Sequence, residues 1–504
     1  SFALQEPLAA TAMLACDPRF RTARAVVECA LRSIMEGVFM SSDSNSPHPW
    51  KRLQSGSEIR GDEALLTDDF ARRLGYAFAH WLAQRLSIPP EQIAVAVGRD
   101  SRNSGPRLKA ALIRGLTAAD CDVLDCDLCT TPALAMTTQL SETRAHGAMM
   151  ITASHFPSGK NGFKFFLQDG DLSDADVSEL IERAVEVDVP DRLVHRMDLM
   201  SIYTQRLRQM VRDRLEDDAL KPLLGLHVVV DAGNGAGGFY AEFLSDLGAD
   251  VEGSLNLQPD GNFPSHSPNP ESPCSMEAIG HTVVENGADL GVIFDPDCDR
   301  AAIVDQNGRA INRNRLIALI AAILLEETPG ATFVTDSVTS SGLARFIAEC
   351  GGTHYRYKRG HLNVIHEARR LNDEDIDCPL AIETSGHSAF RENYFIDDGM
   401  YLVTRLICEA LNRKREGQTL SSLIDELQEP VESVEIRLPI QADDIRAAGQ
   451  HAIETILSHT LENPDWSLAQ DNREGVRITF NLDGGVCNAW FQLRLSLHEP
   501  VMPL

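Results

Sequence analysis

IAVAVGRD (Ile93–Asp100), LHVVVDAGNG (Leu226–Gly235) and ATFVTDS (Ala331–Ser337) share one pattern: an apolar run ends in Asp and passes through small residues into a helix-like stretch. Branched side chains favour a pleated, buried strand. Each phrase is followed by a second apolar run that ends in a polar loop: GAMMITASHFP (Gly147–Pro157), DLGVIFDPDCDR (Asp289–Arg300) and PLAIETSGH (Pro379–His387). Strands alternating with helix-like segments predict parallel or mixed sheets covered by helices. Open α/β sheets bind ligands beyond the carboxyl ends of their strands, so the repeat sets three chemically different loops where ligands bind. The tail differs. VEIRLP (Val434–Pro439), GVRITF (Gly475–Phe480) and AWFQLRLS (Ala489–Ser496) alternate like strands and predict a smaller α+β domain.

A chain of 504 residues with 43% hydrophobic content has room for about three to five domains. Its 46 Lys+Arg against 74 Asp+Glu give a net charge of −28, which repels nucleic acid and anionic lipid. An anionic ligand would need locally gathered cations. The longest apolar stretch, Leu316–Leu325, lies between Arg315 and Glu326 and falls well short of the ~20 residues that cross a bilayer. Neither a nucleic-acid nor a membrane partner is expected. The 11 cysteines are scattered and read as reduced thiols. Cys126 and Cys129 form a CxxC near Cys121, without a second pair or His cluster at zinc-finger spacing, and are expected to be ordinary buried thiols.

Residues 1–49 stand apart as an N-terminal extension. Val26, Ala30, Ile34 and Val38 predict a helix over 22–40, and SSDSNSPHP (Ser41–Pro49) reads as a linker. The expected location is cytoplasmic, or an organelle (plastid) stroma if the extension is a processed targeting region, although Glu6, Asp17, Glu28 and Glu36 are acidic for a transit peptide.

Of the three loops, the second is chemically the most specific. Asp295, Asp297 and Asp299 alternate after the apolar strand LGVIF, with Arg300 beside them, so a bending loop can aim three hard oxygens at one cation. An oxygen-only set suits Mg²⁺ better than zinc, and the Gly and Glu of a calcium EF-hand are missing. In the first loop Ser154 sits among small residues at a strand end, with His155 and Lys164 near enough in sequence to handle its proton.

TASHFPSGKNGFKFF, DPDCDR, ETSGH and RLSLHEP, in that order, resemble the four active-site loops of the α-D-phosphohexomutases, a family that includes phosphoglucomutases, phosphomannomutases and phosphoglucosamine mutases. SGSEIRG (Ser55–Gly61) is similar to the family's opening motif, and the resemblance covers about residues 54–504. It implies four domains around a central cleft: 50–200 for the phosphoserine, 201–315 for the metal, 316–430 for the sugar and 431–504 for the phosphate. It further implies reversible phosphoryl transfer between the 1- and 6-positions of a glucose or mannose phosphate, through Mg²⁺ and a hexose 1,6-bisphosphate. A catalytically weakened sugar-phosphate-binding or regulatory homologue and a phosphoglucosamine mutase are the alternatives. The partners are hexose phosphates, and the assembly is expected to be a monomer or homodimer.

Carried over by residue, the resemblance makes Ser154 the phosphorylated serine, whose phosphate completes a metal shell of Asp295, Asp297 and Asp299. Arg300 lies beside the transferring group; Arg60, Lys164 and His361 of KRGHLNV serve proton transfer and charge stabilisation, and His155 orients the nucleophile. Glu383 and Ser385 hold sugar hydroxyls, with His387 and Lys358 close by, and Arg494 and Ser496 receive the non-reacting phosphate. Two departures stand out. Ile382 replaces the glycine that usually precedes the sugar-loop Glu, which predicts a restricted backbone there. Leu497 and His498 replace the small residue and Thr of the phosphate loop, and His498 is expected to substitute for the Thr as a phosphate donor.

Overall fold

The three repeated phrases form matching strand pairs. In a computed structural model that describes residues 50–185, 194–442, 444–481, 488–496 and 500–504, Ala94–Arg99 runs parallel to Gly147–Ile151, Val228–Asp231 to Leu290–Phe294, and Thr332–Thr335 to Leu380–Ile382. Each second strand is then paired antiparallel with the one that follows it: Lys160–Leu167, Ala301–Asp305 and Ser388–Phe390. The sheets are therefore mixed. The strands Gly147–Ile151, Leu290–Phe294 and Leu380–Ile382 are buried along their whole length, as both-face coverage by helices demands. A fully buried Val, Leu or Ile contributes about 1.5–3 kcal/mol.

The first sheet is extended on one side by Asp122–Leu128 and on the other by Glu58–Asp62, the strand that carries Arg60. Thr67 caps the helix Asp68–Leu86 by accepting from Phe70 N–H. That helix lies close against Gly105–Ala118 because Gly75 and Gly115 lack side chains: a Cβ on Gly115 would come within 1.8 Å of Arg72 O. The apolar stretch Leu316–Leu325 is a buried helix segment, and no helix among the described residues is long and apolar enough to cross a membrane.

The described residues fall into two bodies: the larger runs to Tyr355 and includes Gly360–Glu429, and the smaller joins Arg356–Arg359 to Pro430–Leu504. The smaller is α+β. The helix Ile445–Glu462 packs Ile453 and Ile456 with Trp466, Val476, Ile478 and Leu493 of an antiparallel sheet formed by Trp466–Leu468, Val476–Phe480 and Ala489–Leu493. The expected N-terminal helix and linker, and Leu497 and His498, lie outside the described residues.

Candidate active site

Ser154 lies three residues beyond the strand Gly147–Ile151 and adopts φ +49°, in the left-handed region. Such a backbone costs about 1–3 kcal/mol and persists only where its surroundings over-determine it. Here they do. Ser154 N–H donates to Thr152 Oγ1 (2.8 Å), and the Thr152 hydroxyl donates to Asp100 Oδ2 (2.8 Å). The buried Arg102 guanidinium donates to Ser154 O and Phe156 O (both 2.6 Å), to Pro157 O and Lys160 O (both 2.9 Å), and to Asp100 Oδ2 (3.0 Å).

The serine meets the second loop through its side chain. Ser154 O–H donates to Asp295 Oδ2 at 2.8 Å, and Arg300 donates to Ser154 Oγ at 3.3 Å and to His155 Nδ1 at 2.6 Å. Burial, then Arg300 and Arg60, push the His155 pKa far below its ordinary value, which keeps the ring neutral with Nδ1 as acceptor. Asp295, Asp297 and Asp299 are buried, with one ligand atom from each within 4.8 Å of the others. Lys164 Nζ bonds Asp297 Oδ2 (2.9 Å) and Asp299 Oδ2, while Oδ1 of Asp297 and Oδ1 of Asp299 are buried without a hydrogen-bond partner. Burial, Asp299 and Asp297 raise the Asp295 pKa well above the carboxylate range. Asp299, against the opposing effect of burial, is held below that range by Lys164, His387 and Arg300. Three buried carboxylates are thus under-neutralised by the protein, and two orphaned hard oxygens fit a divalent cation such as Mg²⁺.

In the third loop Gly386 adopts φ +89°, and a Cβ there would sit 2.6 Å from Ala301 O, so only glycine fits. Glu383 accepts from Gly360 N–H (2.6 Å) and from the Ser385 hydroxyl (3.3 Å). Gly360 precedes the helix His361–Asp373, which stacks the His361 ring on His387, centroids 5.0 Å apart at 25°. Burial opposes charge on His361, yet Asp171 (3.7 Å away), Asp397 and Glu58 raise its pKa to about 9. His387 Nδ1 lies against an Asp397 carboxylate oxygen, while burial, then Arg300, pushes the His387 pKa well below its ordinary value. His361, His387 and Asp397 also offer ligand atoms within 4.8 Å of one another, but face-to-face imidazoles do not converge their in-plane lone pairs on one ion. Ile382 ends a buried strand, opposite Thr335 and Ser388; an extended backbone suits a branched residue, so the expected restriction carries no strain.

The larger body therefore brings together Ser154, His155, Arg300, Lys164 and the three Asp, and it joins Glu383, Ser385, His361 and His387 around Gly360. Arg60 bonds Glu58 (2.5 Å) and covers the Phe156 ring. Despite burial, Arg60, Lys164 and His361 draw the Glu58 pKa down to about 2. Lys358, Arg494 and Ser496 belong to the smaller body: Lys358 lies over the Tyr357 ring, and Ser496 N–H donates to Val501 O (3.0 Å) after the strand Ala489–Leu493. Arg102, Glu58, Thr131, Asp171 and Asp397 were not foreseen. Glu58 stands two positions before Arg60 in SGSEIRG; Arg102 has Asp100 two positions away, but the carbonyls it holds, and Asp297 for the Thr131 hydroxyl, are remote in sequence. Cys121, Cys126 and Cys129 are buried and free; burial raises Cys121 and Cys126 to about 12 and Cys129 well above the usual thiol value.

Residues 51–189, 202–308 and 312–431 match the family models for α/β/α domains I, II and III of phosphoglucomutase/phosphomannomutase. The chain is 32% identical to a phosphomannomutase/phosphoglucomutase of Pseudomonas putida over 84% of its length and 86% of the relative's. It is 32% identical to a phosphoglucomutase/phosphomannomutase of Thermococcus kodakarensis, covering 87% of this chain and 90% of that one. Among solved structures, a phosphoglucomutase/phosphomannomutase family protein from Burkholderia thailandensis superposes with a TM-score of 0.73 at 29% identity, over 90% of this chain and 92% of that one.

Proposed function

Because the chain belongs to the phosphoglucomutase/phosphomannomutase family of phosphohexomutase enzymes, we propose that it interconverts the 1- and 6-phosphates of glucose, mannose or both through a phosphorylated Ser154. The observation that carries this reading is the serine hydroxyl held 2.8 Å from Asp295 in a buried carboxylate triad, with Arg300 at 3.3 Å.

Phosphorylated Ser154 gives its phosphoryl group to the free hydroxyl of a hexose monophosphate: the Ser154 Oγ–P bond breaks, the sugar O–P bond forms, and the hydroxyl proton passes to a neighbouring base. The resulting 1,6-bisphosphate turns over and returns its other phosphoryl group to Ser154. In-line positioning and charge neutralisation dominate such a transfer. Asp295, Asp297, Asp299 and the Ser154 phosphate would hold Mg²⁺, which would supply positive charge against the phosphoryl oxygens. Arg300, Lys164, Arg60 and a protonated His361 add fixed cations, and His155 anchors Arg300 through Nδ1. Glu383 and Ser385 accept and donate to sugar hydroxyls, with His387 alongside. Arg494 and Ser496 receive the non-reacting phosphate, with His498 as an additional donor, and Lys358 adds a further substrate contact. The functional division follows segments 50–200, 201–315, 316–430 and 431–504.

The test combines two readouts. Incubation with glucose 1,6-bisphosphate should add one phosphate to the wild-type protein by intact mass and none to Ser154→Ala, and chelation should abolish turnover until Mg²⁺ is returned. Turnover of glucose 1-phosphate and mannose 1-phosphate should exceed that of glucosamine 1-phosphate. An unphosphorylated wild-type enzyme with full activity would sink the phosphoserine mechanism.

A further inference from the structure

Asp297 and Asp299 divide their oxygens in the same way. Oδ2 of each faces protein donors and Oδ1 of each is buried without a hydrogen-bond partner. An ionised carboxylate has about four acceptor positions, and its plane turns readily because the terminal torsion is broad. Something must hold Oδ2 inward so that Oδ1 faces the cation. For Asp297, part of that hold comes from the first domain. Thr131 lies just beyond the strand Asp122–Leu128 and is buried. Its hydroxyl donates to Asp297 Oδ2 at 2.6 Å, and its backbone N–H donates to Asp297 O at 2.8 Å. One residue thus clamps both the main chain and the side chain of Asp297.

We propose that Thr131 is a positioning residue for the bound cation, with its hydroxyl fixing the Asp297 carboxylate so that Oδ1 is presented to the metal. This rests on the metal reading of Asp295, Asp297 and Asp299. Lys164 shares Oδ2 of Asp297 but is also shared with Asp299, so the Thr131 hydroxyl is the contact that orients Asp297 alone. It also ties the strand system that carries Ser154 to the loop that takes the ion, so cation affinity reports the register of the first two domains.

The experiment titrates Mg²⁺ alone into chelator-stripped, full-length protein by calorimetry, without substrate. Thr131→Val keeps the side-chain shape and removes the donor; by the usual effect of an outer-sphere contact, its Kd for Mg²⁺ should rise about tenfold to a hundredfold. Thr131→Ser restores the hydroxyl and should bind like wild type. Wild-type affinity in Thr131→Val overturns the proposal, as does an equal loss in Thr131→Ser, which would trace the effect to lost packing. If Thr131→Val does not fold, Thr131→Ala against Thr131→Ser gives the same contrast. Asp297→Asn is the control. If it keeps full Mg²⁺ affinity, the metal reading falls and this proposal with it; if it weakens binding while Thr131→Val does not, only the role of Thr131 is lost.

Discussion

In the first domain Asp100 accepts the Thr152 hydroxyl, and in the third Asp336 accepts the Thr384 hydroxyl (2.6 Å), so the carboxylate after the leading strand braces the neighbouring loop in both. Beyond that the two are held differently. The Ser154 loop carries a left-handed serine and is tied by Arg102 to four of its carbonyls. In the Glu383 loop the left-handed position is a glycine, and Glu383 accepts from Gly360 N–H and from the Ser385 hydroxyl. On the proposed mechanism this difference is functional. A nucleophile that gives up and takes back a phosphoryl group must return to one place, whereas a loop that grips a sugar in two orientations works with adjustable side chains.

The comparison breaks most sharply at the nucleophile. Ser154→Ala should lower turnover by at least ~10⁴-fold, the scale of deleting a covalent carrier, while thermal melting stays near wild type; steady-state kinetics and calorimetry check both. Arg102→Met should destabilise the larger body by roughly 3–5 kcal/mol, because it leaves Asp100 as an unpaired buried charge. Burial already raises the Asp100 pKa, with Arg102 opposing that rise. Chemical denaturation measures the loss, and a change below ~1 kcal/mol would remove the staple from the argument.

Most of the architecture could be read in the sequence because it rests on local pattern: three apolar runs ending in Asp, each followed by a second run, gave the parallel pairs in the right places. The short strand Trp466–Leu468 was missed, since three residues are too few to show an alternation. The Asp loop was legible because its spacing is itself the chemistry. Arg102 was not: it lies in the polar run GRDSRNSGP, where arginine reads as a solvated turn, and the carbonyl of Ser154 that it holds is 52 positions away. Thr131 is hidden in the same way, 166 positions from Asp297.

A smaller effect is expected in the third domain. Thr384→Val removes the hydroxyl donor but keeps the Thr384 N–H, which reaches Asp336 Oδ2 at 3.3 Å. The cost should be about 1–3 kcal/mol, below that of Arg102→Met, and the KM for hexose phosphate should rise more than kcat falls. Denaturation and kinetics on one preparation test this. A cost equal to that of Arg102→Met would mean that the two loops are held alike.

The middle domain extends the comparison by pH. Its leading carboxylate, Asp231, pairs with His266 Nε2 at 2.9 Å, while His266 Nδ1 lies 2.8 Å from Ser267 O, so the ring donates from both nitrogens when charged. The Asp231 hydrogen bond raises the His266 pKa against the opposing effect of burial. For a histidine whose folded pKa is raised, the stability it adds is complete below the unfolded value near 6.5. That stability fades as pH climbs through the higher folded value. His266→Gln keeps one donor but cannot take up the charge, so its deficit should be largest at mildly acid pH and shrink on the alkaline side. Hydrogen exchange of the backbone amides between residues 261 and 275, compared between the two proteins at each pH, cancels the intrinsic pH dependence of exchange. Converging protection at high pH is the expected result. Parallel profiles would mean that His266 does not change charge over this range, leaving the middle domain's leading carboxylate braced by a neutral imidazole donor.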